Sequence, residues 1–242
     1  MPTLSISHPL LRFPLLLAVL TFAWWAAKTG QAGIYQFQAN SHVELWQHQR
    51  LKTPDFQVSN EQYQSTLDKS RQALNLVPYN TDYWTAIADM QLWYLSNTAN
   101  IPITQQTIIK SDIFAAYRTA LKQRPTWPYS YSSFALIKAR FGEIDGEFIH
   151  ALHKANQLGA RERNVIHITV ELGLILWTQL DKNTQKLVAN AVERSITWDL
   201  DPTLNSKERI FALSLVGAYQ KQAEICALMS VEGQKISNMC AS

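Results

Sequence analysis

The chain has 242 residues, 47% of them hydrophobic and 17% charged, with only 8 Gly and 9 Pro. That composition fits an ordered, helix-rich protein of one or two domains and excludes disordered and collagen-like chains. The net charge of +3 comes from scattered residues without basic runs, which excludes nucleic acid as the expected partner because phosphate neutralisation dominates such binding.

The first element is an uncharged run, FPLLLAVLTFAWWAA, from Phe13 to Ala27. As a helix it covers about 22 Å, short of the roughly 30 Å hydrocarbon core of a bilayer. Arg12 and Lys28 have long stems that snorkel, and Trp24 and Trp25 lie at one end, where indole rings favour the membrane boundary. Residues 1–35 therefore read as a cytoplasmic tail and a retained transmembrane anchor. Two alternatives stay open: a cleaved signal peptide with small residues at Gly30–Ala32, and a buried helix of a soluble protein. The bulky Trp pair and the helix-compatible QFQANSHVELWQHQR favour retention. Charge bias across the run is weak, so orientation rests on the single span and the large C-terminal part, expected on the periplasmic side of a bacterial inner membrane. Residues 36–59 read as a juxtamembrane helix and a linker broken at Pro54.

Residues 60–242 read as an all-α domain. Predicted helices cover 60–77, 80–96, 103–124, 127–140, 144–157, 162–180, 183–197, 205–220 and 223–237. Pro78, Pro125, Pro128, Pro202, Gly142 and Gly146 supply stops between them. NVIHITVEL at Asn164–Leu172 is β-branched but runs into GLILWTQL, which predicts one buried helix instead of a strand.

Two stretches share an alanine, a proline five residues later and an aromatic six beyond that. They are Ala73–Pro78–Trp84 and Ala120–Pro125–Tyr131. Ile87 and Phe134 follow at the next large apolar position, with Ala88 and Ala135 beside them, and Tyr117 fills the aromatic position of a second helix. This resembles the tetratricopeptide repeat, a 34-residue helix pair, over about Asn60–Leu180. The copies lie further apart than 34 residues because of SNTANIPITQQTI, Ser70 stands where an aromatic is usual, and a third copy at Ala155, Ala160 and Ile166 has lost both proline and aromatic. The resemblance implies an α-solenoid whose first helices line a concave groove. In that register the groove residues are Asp82, Thr85 and Asp89, then Tyr129, Ser132 and Leu136, then Asn164, His167 and Glu171, with Trp93 nearby. A helical bundle with an ordinary polar face is the plainer alternative.

The layout of anchor, helix pairs and NVIHITVELGLILWTQLDKNTQKLVANAVERSI (Asn164–Ile196) resembles the VpsP-type polysaccharide biosynthesis proteins. The resemblance is carried by Glu171–Trp177, the Leu180–Asp181 break and the Val188/Ala191/Val192 helix. It implies a membrane-tethered accessory protein of bacterial exopolysaccharide assembly or export, without catalytic residues, bound to a protein or peptide of that machinery.

Few residues stand in a pattern that points to chemistry. His150 and His153 stand three apart with no third metal ligand at helical spacing, and His167 and Glu171 form an ordinary i,i+4 pair or a base with its orienter. Arg118 and Lys122 form a basic step, read as a solvated face. No nucleotide-binding, serine-hydrolase or zinc-protease motif occurs, so neither a cofactor nor a metal is expected. The enzyme alternative is a periplasmic lyase or hydrolase acting on the polymer, and a general envelope adaptor unrelated to polysaccharide is the other. Cys226 and Cys240, fourteen apart and in no CxxC pair, either close a loop in an oxidising compartment or remain one buried and one exposed thiol.

Overall fold

A computed structural model describes residues 9–198, 206–236 and 238–240. The predicted boundaries at residue 205 and residue 237 lie outside them. Every regular element among the described residues is a helix. The chain forms two compact units, residues 1–123 and 124–242.

The first unit holds α1 (Pro9–Lys52), α2 (Asn60–Leu76), α3 (Thr81–Asn97) and α4 (Ile103–Gln123). Local chemistry sets the starts. Ser59 and Gln62 form a reciprocal capping box on α2, and Asn80 accepts the Asp82 N–H at the start of α3. Neighbours in sequence pack as hairpins, α1 on α2 and α3 on α4. Helix α1 does not stop where its apolar run ends. Residues 13–26 are exposed, yet Ala32, Gln36, Ala39 and Trp46 further along the same helix are buried against the rest of the unit. The stretch expected as a juxtamembrane helix is thus one half of the first hairpin, with Ala32, Ala73 and Val77 in a shared cluster joined by Tyr35, Leu76 and Tyr83.

The proline-to-aromatic step performs the same task in both copies. Trp84 Nε1 donates to the Pro78 carbonyl at 2.9 Å, and Tyr131 Oη donates to the Pro125 carbonyl at 3.2 Å. Each aromatic thereby closes over the turn by bonding a carbonyl two residues past the preceding helix, and Gln123 also donates to the Pro78 carbonyl. Ala73, Ala88, Ala120 and Ala135 are fully buried, as close helix packing requires.

The second unit holds α5 (Pro128–Arg140), α6 (Gly146–Leu158), α7 (Arg163–Ile175), α8 (Lys182–Ile196), α9 (Lys207–Ala218), α10 (Gln222–Leu228) and α11 (Val231–Ile236). Again α5 pairs with α6 and α7 with α8, while α9 and α10 pack on α8. Pro128 opens α5, and Asp145, Asp181 and Ser206 cap α6, α8 and α9. Two predicted helices are shorter than expected. The span 162–180 ends at Ile175 and tightens into a 3₁₀ turn at Trp177–Gln179, whose Trp177 carbonyl accepts from the Gln185 side chain at 2.9 Å. The span 223–237 breaks at Met229–Ser230, where Ser230 takes an N-cap role by accepting the Gly233 N–H.

A disulfide joins Cys226 on α10 to Cys240 in a C-terminal 3₁₀ turn. Closing a loop of sequence separation 14 is worth about 3 kcal/mol in the chain-entropy picture. Reductant is expected to lower the melting temperature of the full chain, whereas a Cys226→Ser/Cys240→Ser variant should melt at the lower temperature with or without reductant. An unchanged melting curve on reduction would count against a stabilising bond.

Candidate functional site

In the first unit the residues predicted for the groove share one face of α3, but much of that face fastens helices together. Asp89 accepts the Tyr117 hydroxyl of α4 at 2.6 Å, and the Trp93 ring lies 5.8 Å from Trp46 of α1. Thr85 donates to the Asp82 carbonyl at 3.1 Å, and Asp82 itself is exposed. In the second unit Tyr129 donates to Glu162 at the start of α7, while Ser132 is buried and donates to the Tyr129 carbonyl. Leu136 is half-buried, and Asn164 and Glu171 are exposed. His167 stacks on Phe211 of α9 with centroids 4.1 Å apart, and its buried Nε2 has no hydrogen-bond partner. Burial holds that imidazole below the usual histidine range, with Glu208 opposing the shift and Arg163 adding to it.

The opposite face of α3 opens on a cleft of about 510 Å³ between α2, α3 and α4. Trp84, Ile87 and Gln91 supply the α3 wall, Arg71 and Asn75 come from α2, and Asp112 comes from α4. Ala115 and Ala116 on α4 leave the space. Gln91 is 1% exposed and donates to Tyr63 Oη at 3.4 Å, yet its Oε1 finds no partner. Tyr63 stacks on Tyr94, 3.9 Å away, and burial pushes its phenol up from the ordinary value. The cleft thus combines an indole, a cation, a carboxylate and amides over an apolar floor, the mixture that small-ligand and peptide pockets use. The sequence carried one sign of it: two adjacent alanines on α4 between Asp112 and Thr119, facing Arg71 and Asn75 at i,i+4 on α2.

A second cleft, about 430 Å³, lies between α6 and α8 in the second unit. Its lining includes Arg194, Lys186 and His153, with amides from Asn156, Asn183 and Asn190, and no carboxylate. Arg194 Nη2 donates to Asn156 Oδ1 at 2.8 Å, and Asn156 is itself held by the Leu152 carbonyl and Thr169. The Arg194 Nε is buried with no acceptor, and burial lowers the guanidinium pKa against the opposing charge of Glu193. That carboxylate is taken by the Ser230 N–H and hydroxyl. Thr184 gives its hydroxyl hydrogen to Asp181, so it accepts from His153 Nε2 at 3.0 Å and fixes that tautomer.

No group of three or more metal-ligating side chains occurs among the described residues. His150 packs edge-on to Tyr131 and His153 bonds Thr184, so the two take separate partners. No protein-family model and no curated protein matches the chain.

Proposed function

We propose that the protein is a membrane-tethered, non-catalytic adaptor of bacterial envelope polysaccharide assembly, whose helical hairpins hold a protein or peptide partner. One observation carries the tether. α1 is the one helix among the described residues long and apolar enough to cross a bilayer, and its exposed apolar half ends at an aromatic belt. Trp25 Nε1 donates to Tyr79 Oη at 3.1 Å, and Lys28 Nζ sits 4.8 Å over the Trp24 ring. All three aromatics are about half exposed or more, as rings at a headgroup boundary are. From Pro9 to Trp25 the helix rises roughly 25 Å, a span that modest bilayer thinning or snorkelling accommodates.

Three further features support the rest of the reading. The repeated hairpins and their shared proline-to-aromatic bond fit a tetratricopeptide-like scaffold, a fold that binds extended partners. The Cys226–Cys240 bond fits an oxidising compartment, hence a domain on the periplasmic side. The likeness of Asn164–Ile196 to VpsP-type proteins supports a role in polysaccharide assembly.

Partner binding is assigned to the α2–α3–α4 cleft. The full-length chain should stay in the membrane fraction through alkaline carbonate and, after cross-linking, co-purify with components of the polysaccharide assembly system. Arg71→Ala with Asp112→Ala should cut that recovery about tenfold, the loss expected from charged hydrogen bonds, while circular dichroism stays helical. Undiminished recovery would remove the cleft from the reading. Incubation with the polymer should release no new reducing ends, and their appearance would favour a polymer-degrading enzyme.

A further inference from the structure

We propose that the α6–α8 cleft binds a hydroxylated carboxylate of the hexuronic acid class, free or as a unit of an acidic glycan. Arg194 lines the cleft. Its guanidinium is drawn into the fold, its Nε has no acceptor, and among the described residues no carboxylate forms an ion pair with it or with Lys186. A cation removed from water costs stability unless an opposite charge and hydrogen bonds compensate it. Among the described residues its acceptor is a neutral amide, Asn156 Oδ1. Asn156 is 6% exposed and is anchored by two bonds of its own, so it orients the guanidinium without neutralising it.

The rest of the lining matches that need. Lys186 adds a second positive charge about two turns earlier along the same side of α8, and no lining residue carries a negative one. An anion entering the cleft therefore meets attraction from both cations and no carboxylate in the wall. The amides of Asn183 and Asn190 each offer a donor and an acceptor in one plane. Sugar hydroxyls both give and accept hydrogen bonds, so amides suit them, whereas a bare anion gains from donors alone. A charge-assisted contact between the guanidinium and a carboxylate supplies the anchor. A volume of about 430 Å³ lies within the usual range for small-molecule sites.

The proposal stands apart from the adaptor reading, which uses the other unit and is tested by partner recovery. The test is calorimetric titration of the full-length protein in detergent micelles with sodium glucuronate, a glucuronate-containing oligosaccharide, glucose and inorganic phosphate. Glucuronate should bind, glucose should not bind detectably, and phosphate should bind at least tenfold more weakly than glucuronate. Tighter binding of the oligosaccharide than of the free acid would identify a glycan as the source, and the reverse a free sugar acid; either supports the site. Arg194→Gln should weaken glucuronate binding about tenfold or more, the scale of a lost charged hydrogen bond. Lys186→Gln, at an exposed position, should weaken it severalfold with an unchanged melting temperature, which guards against a misfolded Arg194 variant. Equal affinity for glucose, phosphate binding as tight as glucuronate, or undiminished binding in folded Lys186→Gln protein would each overturn the assignment.

Discussion

Gly173→Ala is expected to destabilise the second unit by about 2 kcal/mol, although alanine is normally the better helix former. Gly173 lies inside α7, where glycine costs roughly 1 kcal/mol against alanine. Its place is explained by α8. A Cβ at this position would stand 2.2 Å from Val188 Cγ2 and 2.6 Å from Cγ1, far inside contact distance. Val188 is fully buried and β-branched, so it cannot rotate clear, and the helices would have to move apart. Overpacking of this kind costs about 1–3 kcal/mol, or more where the backbone must shift, and it outweighs the propensity gain. Chemical denaturation of Gly173→Ala, Val188→Ala and the double variant measures it. The double variant should be more stable than the sum of single losses predicts, by about 1 kcal/mol or more. Simple additivity would sink the close-packing explanation.

Lys138→Met is expected to cost about 3 kcal/mol at neutral pH, with a pH dependence that a purely steric effect would lack. Lys138 on α5 is 1% exposed, and its Nζ donates to Glu143 at 3.1 Å, Asp145 at 2.9 Å and Glu147 at 3.0 Å. The three carboxylates remain a third to a half exposed, so solvent weakens the pairing and the low end of the buried-pair range applies. Burial alone would pull the lysine pKa down, but the three carboxylates hold it above its ordinary value. Its stabilising effect is therefore complete below the unfolded value, about 10.4, and is lost as pH rises through the folded one. Asp145 behaves oppositely. Burial raises its pKa, yet the Phe148 amide and Lys138 bring it below the ordinary value, so its contribution is present above about pH 3.9 and is lost as pH falls through the folded value. Removing Lys138 leaves three neighbouring carboxylates without their cation. Acid should relieve that repulsion, so the stability gap between wild type and Lys138→Met should shrink from pH 7 to pH 4. A gap independent of pH would falsify the electrostatic account.

Much of the helical layout was legible because its determinants are local. Pro125 and Pro128 bracket the turn between α4 and α5, and the predicted 103–124 and 127–140 agree closely with Ile103–Gln123 and Pro128–Arg140. Caps at Ser59, Asp145 and Asp181 act through amides two or three residues away. What stayed hidden depends on which helices meet. Ala32, Gln36, Ala39 and Trp46 do form a helical face, but nothing in that spacing names α2 as its partner. The polar face of α3 was visible at Asp82, Thr85 and Asp89, whereas its joining role appears only when Tyr117 is set opposite Asp89. The cleft on the other side needed three helices to exist. Nothing in the sequence marks Lys138 or Arg194, since it does not show that Lys138 meets three carboxylates while Arg194 meets an asparagine.

The unbroken course of α1 has a mechanical consequence. Lys28 to Ala32 forms no hinge, so the apolar half and the packed half share one axis and one rotational phase. One residue inserted between Lys28 and Ala32 would turn the first unit by about 100° and lift it by about 1.5 Å relative to that end. The helix therefore encodes an azimuth and a height as well as an attachment.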